Sequence, residues 1–155
     1  MTAVTHILAA VDLSDVTPLV MDYARELAAT WGARLTALHV VHDLSYYSGA
    51  FITAQPLKTL QHDLESEAKE RLQAWCEDQW RGDMPYEAVV LAGRPIAEIT
   101  RMIRELGVDC LVIGSHRLEK PEHQLFGSTA ERLLHHIQCP TMVIPPQRVD
   151  YVSNP

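Results

Sequence analysis

Short apolar runs alternate along the chain with longer segments whose apolar residues recur at helical spacing. The short runs are typical of buried strands and lie at residues 4–11, 35–41, 86–91, 110–113 and 141–144. The helical segments carry the apolar sets Val16, Leu19, Val20, Tyr23, Ala24, Leu27, Ala28 and Trp31; Leu57, Leu60, Leu64, Ala68, Leu72 and Trp75; Ile96, Ile99, Ile103 and Leu106; and Ala130, Leu133, Leu134 and Ile137. Strands that are apolar at nearly every position and are joined through helices predict a parallel sheet covered on both faces. The predicted fold class is therefore a doubly wound α/β domain.

Glycine marks the expected helix ends. Gly32, Gly82 and Gly107 each follow a helical pattern and precede a strand, where a left-handed C-terminal cap favours a residue without a Cβ. The chain has 155 residues, 47% of them hydrophobic, which is enough for one buried core. We expect a single domain over residues 1–147 and a C-terminal tail over 148–155.

Charge and hydropathy exclude several classes of partner. Thirteen basic residues against twenty acidic ones give a net charge of −7, which is unsuited to gripping nucleic acid or an anionic membrane. The apolar run at residues 7–11 is too short for a membrane span and lacks a basic segment before it. We expect a cytoplasmic protein. The three cysteines have no CxxC spacing, which argues against a disulfide framework.

Polar residues follow the predicted strands at the edge where open parallel sheets bind ligands. Asp12 follows the first strand, His42 the second, and the residues 114–116 the fourth. Asp12 has two interpretations: its carboxylate accepts hydrogen bonds from ribose hydroxyls, or it caps the turn into the first helix together with Ser14. Residues 127–129, Gly-Ser-Thr, open the fourth helix, where backbone N–H groups favour an anion, although this is also an ordinary N-cap.

The other groups of polar and aromatic residues give weaker evidence of a functional site. His116, His123, His135 and His136 lack the spacing of a zinc site, so we predict no metal site. His39 alternates with apolar residues in a strand and is interpreted as a satisfied core residue. No serine lies in a G-x-S-x-G elbow, and we predict no catalytic residues. The irregular segment 42–56 contains Tyr46, Tyr47 and Phe51, which either close over a ligand, pack on a neighbouring subunit or pack on their own domain.

Five segments together resemble the universal stress protein family. They are HILAAVDLSD (6–15), LHVV (38–41), GRPIAEI (93–99), VDCLVIGSH (108–116) and GSTAERLLHHIQCPTMVIPP (127–146), and the resemblance covers nearly the whole chain except residues 42–56. It implies a Rossmann-like five-stranded sheet in the order 3-2-1-4-5 and a homodimer joined through the last strand. It also implies a stress-response protein that binds ATP, with Mg²⁺, or AMP at the strand ends.

The resemblance also assigns the residues of the nucleotide site. Asp12 matches the residue that meets the ribose, and the Val40 backbone matches the position that recognises adenine. The other implied residues are Ala10 and Val11 in the ribose corner, Ile113 along the base, Gly114, Gly127, Ser128 and Thr129 at the phosphates, and His116 and Arg117 in the stretch that crosses them.

Arg117 departs from the family pattern, because it stands where the nucleotide-binding members have a second glycine between Gly114 and Gly127. A left-handed arginine costs about 1–2 kcal/mol, and its guanidinium suits a phosphate. We therefore expect adenine nucleotide to bind more weakly or in another phosphate pose. Two alternatives remain open: a dimeric protein-interaction module that has lost nucleotide binding, and an enzyme that hydrolyses nucleotide or transfers an adenylyl group.

Overall fold

Five parallel strands form one sheet at the centre of the molecule. The computed structural model describes residues 3–47, 54–80, 82, 84–115 and 128–146. The strands are β1 (His6–Ala10), β2 (Arg34–His42), β3 (Tyr86–Gly93), β4 (Cys110–Gly114) and β5 (Thr141–Ile144). They pair in the order β3-β2-β1-β4-β5, and every pairing is parallel. The predicted fold class and strand order are confirmed.

Helices connect successive strands, as the spacing of apolar residues predicts. They are α1 (Thr17–Trp31), α2 (Ala54–Gln79), α3 (Pro95–Leu106) and α4 (Ser128–Leu134), and a short 3₁₀ turn spans Leu44–Tyr47. Helix α4 ends before Ile137, which the sequence pattern had placed in the helix. Pro140 forbids helical continuation into β5, and Ile137 instead packs beside α4 against the core.

The helices cover both faces of the sheet. On one face α1 and α2 contribute Met21, Ala24 and Leu72 to a buried cluster with Ile7 and Ala37. On the other face, α3 and α4 form a second cluster that includes Ile99, Ile103 and Leu133 together with Leu8 and Leu38. Alternate residues of β1 and β2 thus enter opposite layers, which defines a doubly wound sheet.

Parts of the predicted apolar faces remain exposed. Tyr23 is 46% exposed because it lies off the stripe of α1 that contacts the sheet, and Trp31 is the last residue of that helix. Leu60 and Leu64 of α2 are 49% and 37% exposed. A helix of 26 residues is about 39 Å long, whereas the longest strand, β2, has nine residues and is about 30 Å long, so part of α2 extends past the strands.

Glycine caps end two helices as predicted. Gly32 has φ 64° and donates its N–H to the Ala28 carbonyl, and Gly107 has φ 61° and donates to the Ile103 carbonyl. Each adopts the left-handed conformation that a β-carbon disfavours. Within the described ranges, no helix is long and apolar enough to cross a membrane.

Candidate functional site

A cavity of about 640 Å³ opens at the carboxyl ends of β1, β2 and β4. Eight of the eleven residues that the family resemblance assigns to a nucleotide site line it, namely Ala10, Val11, Asp12, Val40, Ile113, Gly114, Ser128 and Thr129. The remaining three, His116, Arg117 and Gly127, lie outside the described residues. Strand order explains the convergence, because β1 sits between β2 and β4 and their ends share one edge.

Asp12 lies in the turn between β1 and α1. Its Oδ1 atom accepts a hydrogen bond from the Ser14 N–H at 3.0 Å, and the Ser14 Oγ atom accepts one from the Val16 N–H at 3.4 Å. Val16, the N-cap of α1, makes no side-chain capping bond. Asp12 therefore shapes the turn with Ser14, as one interpretation predicted, while its exposed carboxylate also lines the cavity.

The residue after Asp12 has an uncommon backbone conformation. Leu13 has φ 61° although it is not glycine, and its side chain is buried. The left-handed conformation costs about 1–2 kcal/mol at such a residue, so other contacts must hold it. The Leu13 carbonyl accepts a hydrogen bond from Nη2 of Arg71, on α2, at 3.0 Å. A helix distant in sequence thus helps to fix the turn that carries Asp12.

A second contact holds the same turn from β2. His39 Nδ1 lies 2.8 Å from the Val11 carbonyl oxygen, and because a carbonyl only accepts, Nδ1 carries the proton. The Val11 N–H in turn donates to the Leu38 carbonyl at 2.9 Å. The prediction that His39 is hydrogen-bonded is confirmed, but the prediction that it is a core residue is wrong. His39 is only half-buried and also lines the cavity, which its sequence position did not indicate.

Gly114 has a packing reason to be glycine. A β-carbon at this position would lie 3.0 Å from Val16 Cγ1 and 3.2 Å from Val20 Cγ2, which is tighter than ordinary van der Waals contact. The end of β4 therefore approaches α1 as closely as it does because position 114 lacks a side chain. The glycine does not by itself indicate a phosphate loop.

Thr17 is a cavity-lining residue that the sequence did not single out. Thr17 is 1% exposed, and its Oγ1 atom has no hydrogen-bond partner in the described structure. A buried hydroxyl without a partner is uncommon in folded proteins. No local pattern reveals it, because a threonine at the start of a helix ordinarily finds a partner nearby.

The first part of the segment 42–56 borders the cavity. His42, Leu44 and Leu64 line this end, and the Leu44 N–H donates to Oε1 of Gln61 at 2.8 Å. Tyr46 and Tyr47 are exposed, so neither is buried against the domain. The Arg94 guanidinium carbon lies 5.0 Å from the centroid of the Tyr46 ring. Phe51 lies outside the described residues.

The described residues offer no other site of evident chemistry. Within them, no group of three or more metal-ligating side chains comes together. The three thiols are unpaired, and burial raises the pKa of Cys76 to about 12 and also raises that of Cys110. Both thiols are therefore protonated at neutral pH, in which form they are poor nucleophiles.

Comparison with models of protein families shows to which family the chain belongs. The model of the universal stress protein family matches residues 3–145. The chain belongs to this family. Universal stress protein A homolog 1 of Coxiella burnetii is 32% identical over 142 residues, covering 90% of this chain and 94% of the relative.

Two solved structures support the fold. The hypothetical protein MJ0577 superposes with a TM-score of 0.79 at 19% identity, covering 95% of this chain and 99% of that one. A family member from Arabidopsis thaliana, solved with AMP bound, superposes with a TM-score of 0.62 at 18% identity, covering 97% of each chain. At these identities the likeness establishes the shared fold.

Proposed function

We propose that this universal stress protein binds an adenine nucleotide, AMP or ATP, in the cavity at the strand ends. The nucleotide acts as a regulatory ligand rather than as the substrate of a dedicated reaction. One observation carries the proposal: the eight described residues that the family resemblance assigns to a nucleotide all line one cavity. We also propose that the protein works in the cytoplasm as a homodimer.

The cavity suits a nucleoside in size and lining. Ligand pockets commonly measure about 300–1,000 Å³ and combine apolar walls with a few polar groups. Val40 and Ile113 offer apolar surface to a base, Asp12 offers a carboxylate to ribose hydroxyls, and Ser128 and Thr129 offer hydroxyl groups. The AMP complex of the Arabidopsis family member supports the same class of ligand.

The charge of the walls favours AMP over ATP. Within the described part of the chain, neither lysine nor arginine lines the cavity, and Asp12 contributes a negative charge. A triphosphate carries more charge than a monophosphate and needs more cationic partners. Binding of ATP would therefore depend on Mg²⁺ and on Arg117 to neutralise its phosphates, whereas AMP needs fewer cationic partners.

We propose that the bound nucleotide undergoes no dedicated reaction in this cavity. Asp12 is the only carboxylate on the described walls, and its Oδ1 atom already accepts from the Ser14 N–H. Hydrolysis or adenylyl transfer needs a positioned base or a metal clamp on the phosphates. A regulatory ligand needs only binding.

A second candidate function is an interaction module that does not bind nucleotide. The exposed rings of Tyr46 and Tyr47 favour it, since exposed tyrosines are enriched in protein interfaces. The replacement of the family's second glycine by Arg117 favours it as well.

Nucleotide that copurifies with the protein separates the two functions. Acid release followed by chromatography should yield AMP or ATP at a substantial fraction of the protein concentration. If no nucleotide is released, and neither AMP nor Mg-ATP raises the melting temperature, the interaction module becomes the better account. Repeated turnover of ATP, faster than a bound regulatory ligand needs, would favour an enzyme instead.

A further inference from the structure

The Thr17 hydroxyl differs from the other fully buried threonine of the described chain. Thr17 and Thr36 are each 1% exposed. Thr36 Oγ1 lies 2.9 Å from His6 Nε2, with which it shares a hydrogen bond, whereas Thr17 Oγ1 has no partner within the described structure. Burying an unpaired hydroxyl destabilises a folded protein, so a partner supplied by a ligand would be gained at little cost.

The local backbone explains why Thr17 lacks an internal partner. A threonine in a helix commonly donates to the carbonyl four residues earlier. For Thr17 that residue is Leu13, which lies outside the helix in the left-handed conformation and accepts from Arg71 instead. Because Leu13 is not helical, its carbonyl is not placed where a helical threonine would reach it.

The start of α1 offers few backbone donors to a ligand. The Thr17 N–H donates to the Ser14 carbonyl at 3.1 Å, and the Val20 N–H donates to the Val16 carbonyl at 3.1 Å. Pro18, between them, has no N–H. The Thr17 hydroxyl is therefore one of the few polar groups that this end of α1 can still present.

Thr17 lies on the β4 side of the cavity. Its helical neighbours Val16 and Val20 flank the close approach of α1 to Gly114, and its N–H bonds to the turn that carries Asp12. Val40, the proposed position of the base, belongs to β2 on the other side of β1. Thr17 thus lies on the side of the cavity where the family resemblance places the ribose and phosphates, with Asp12 and Gly114.

We propose that the Thr17 hydroxyl hydrogen-bonds the sugar–phosphate part of the adenine nucleotide and so determines part of the affinity. This role rests on the proposed function. A threonine in a helix populates two χ1 rotamers, so Oγ1 can turn toward the ligand without backbone movement. Ligand binding then removes the penalty of the unpaired group and forms a new bond.

Thr17→Val tests the role because it should lower the affinity for AMP without lowering the stability of the nucleotide-free protein. Valine keeps the shape of threonine and removes the unpaired hydroxyl, so the melting temperature of the nucleotide-free protein should stay equal or rise. Calorimetric titration with AMP should show an affinity about 5- to 30-fold lower than that of the wild type. Thr17→Ser keeps the hydroxyl and should bind AMP within about threefold of the wild type.

Thr36→Val is the matched control. It removes a buried hydroxyl that is bonded to His6, so it should lower the melting temperature by about 2–6 °C. It lies outside the cavity lining, and its affinity for AMP should remain that of the wild type.

Two results overturn the role of Thr17 while leaving nucleotide binding intact. One is a Thr17→Val variant that binds AMP as tightly as the wild type. The other is a Thr17→Val variant that loses stability as Thr36→Val does, which would mean that the hydroxyl is already bonded in the nucleotide-free protein. A wild type that binds no AMP refutes the proposed function, and the role of Thr17 with it.

Discussion

His39 Nδ1 lies 2.8 Å from the carbonyl oxygen of Val11, and this bond ties β2 to the residue that precedes Asp12. Together with the Arg71 contact to Leu13, it holds the β1–α1 turn from two elements that are distant in sequence. The position of the Asp12 carboxylate at the cavity thus depends on side chains from β2 and α2.

Removing the His39 contact should disturb both the turn and ligand binding. His39→Leu leaves the Val11 carbonyl without its side-chain donor, so we expect a loss of about 0.5–1.5 kcal/mol of unfolding free energy. AMP affinity should fall several-fold because Asp12 is less well fixed. Urea denaturation and calorimetry measure the two effects, and an unchanged value in both would show that the contact does not position the turn.

Gly114→Ala tests whether packing requires this glycine. The new β-carbon would meet Val16 and Val20 at 3.0 and 3.2 Å, and we expect a loss of about 1–3 kcal/mol from overpacking. Val16→Ala removes the closer contact. Gly114→Ala should therefore lower the unfolding free energy less in the Val16→Ala protein than in the wild type. Denaturation of the four proteins of this double-mutant cycle measures the coupling, and an additive result would contradict the packing role.

Asp109 ties the beginning of β4 to the beginning of β1. Its Oδ2 atom accepts from the Thr5 N–H, the Thr5 hydroxyl and the His6 N–H, at 2.7, 2.8 and 3.1 Å. These bonds, those from Thr5 foremost, lower the pKa of Asp109. A carboxyl whose pKa is lower in the folded state stabilises the protein above its unfolded pKa, and this contribution disappears as the pH falls.

The unfolding free energy of Asp109→Asn should therefore depend less on pH in the acidic range than that of the wild type. Urea midpoints of the wild type and the variant should differ most at pH 7, and the difference should shrink as the pH falls below about 4, the pKa of an aspartate in an unfolded chain. A difference that stays constant over this range would contradict the role of the charged carboxylate.

The dimer proposal depends on β5, which is the edge strand beside β4. Among the described strands β5 pairs only with β4, so its outer row of backbone groups can pair with a second copy, and Met142, Val143 and Ile144 make this edge apolar. Light scattering should give the mass of a dimer at micromolar concentration. Val143→Lys should shift the mass toward that of a monomer, and a wild type that is already monomeric would refute the proposal.

Local sequence patterns predicted the elements of the fold better than the contacts at the site. Apolar periodicity located all five strands and the four helices, because burial sets the periodicity of each element. The strand order came from the family resemblance. Exposure of Leu60 and Leu64 escaped prediction, since it depends on the length of α2 relative to the sheet.

The place of Asp12 in the cavity lining was predictable from its position at a strand end, whereas that of Val40 came from the family resemblance. The support of the turn was not predicted, because Arg71 and Leu13 are 58 residues apart and no local pattern joins them. The unpaired hydroxyl of Thr17 likewise follows only from the three-dimensional arrangement. The effect of Arg117 stays a prediction from the sequence.

Calorimetric titration of the wild type and Asp12→Ala with AMP tests the central claim most directly. We expect the wild type to bind AMP with a 1:1 stoichiometry per chain. Asp12→Ala should bind it about tenfold or more weakly, because the ribose loses a charged acceptor. Adenosine should lose as much affinity as AMP, since both carry the ribose. A wild type that shows no binding at millimolar AMP or ATP would contradict the claim.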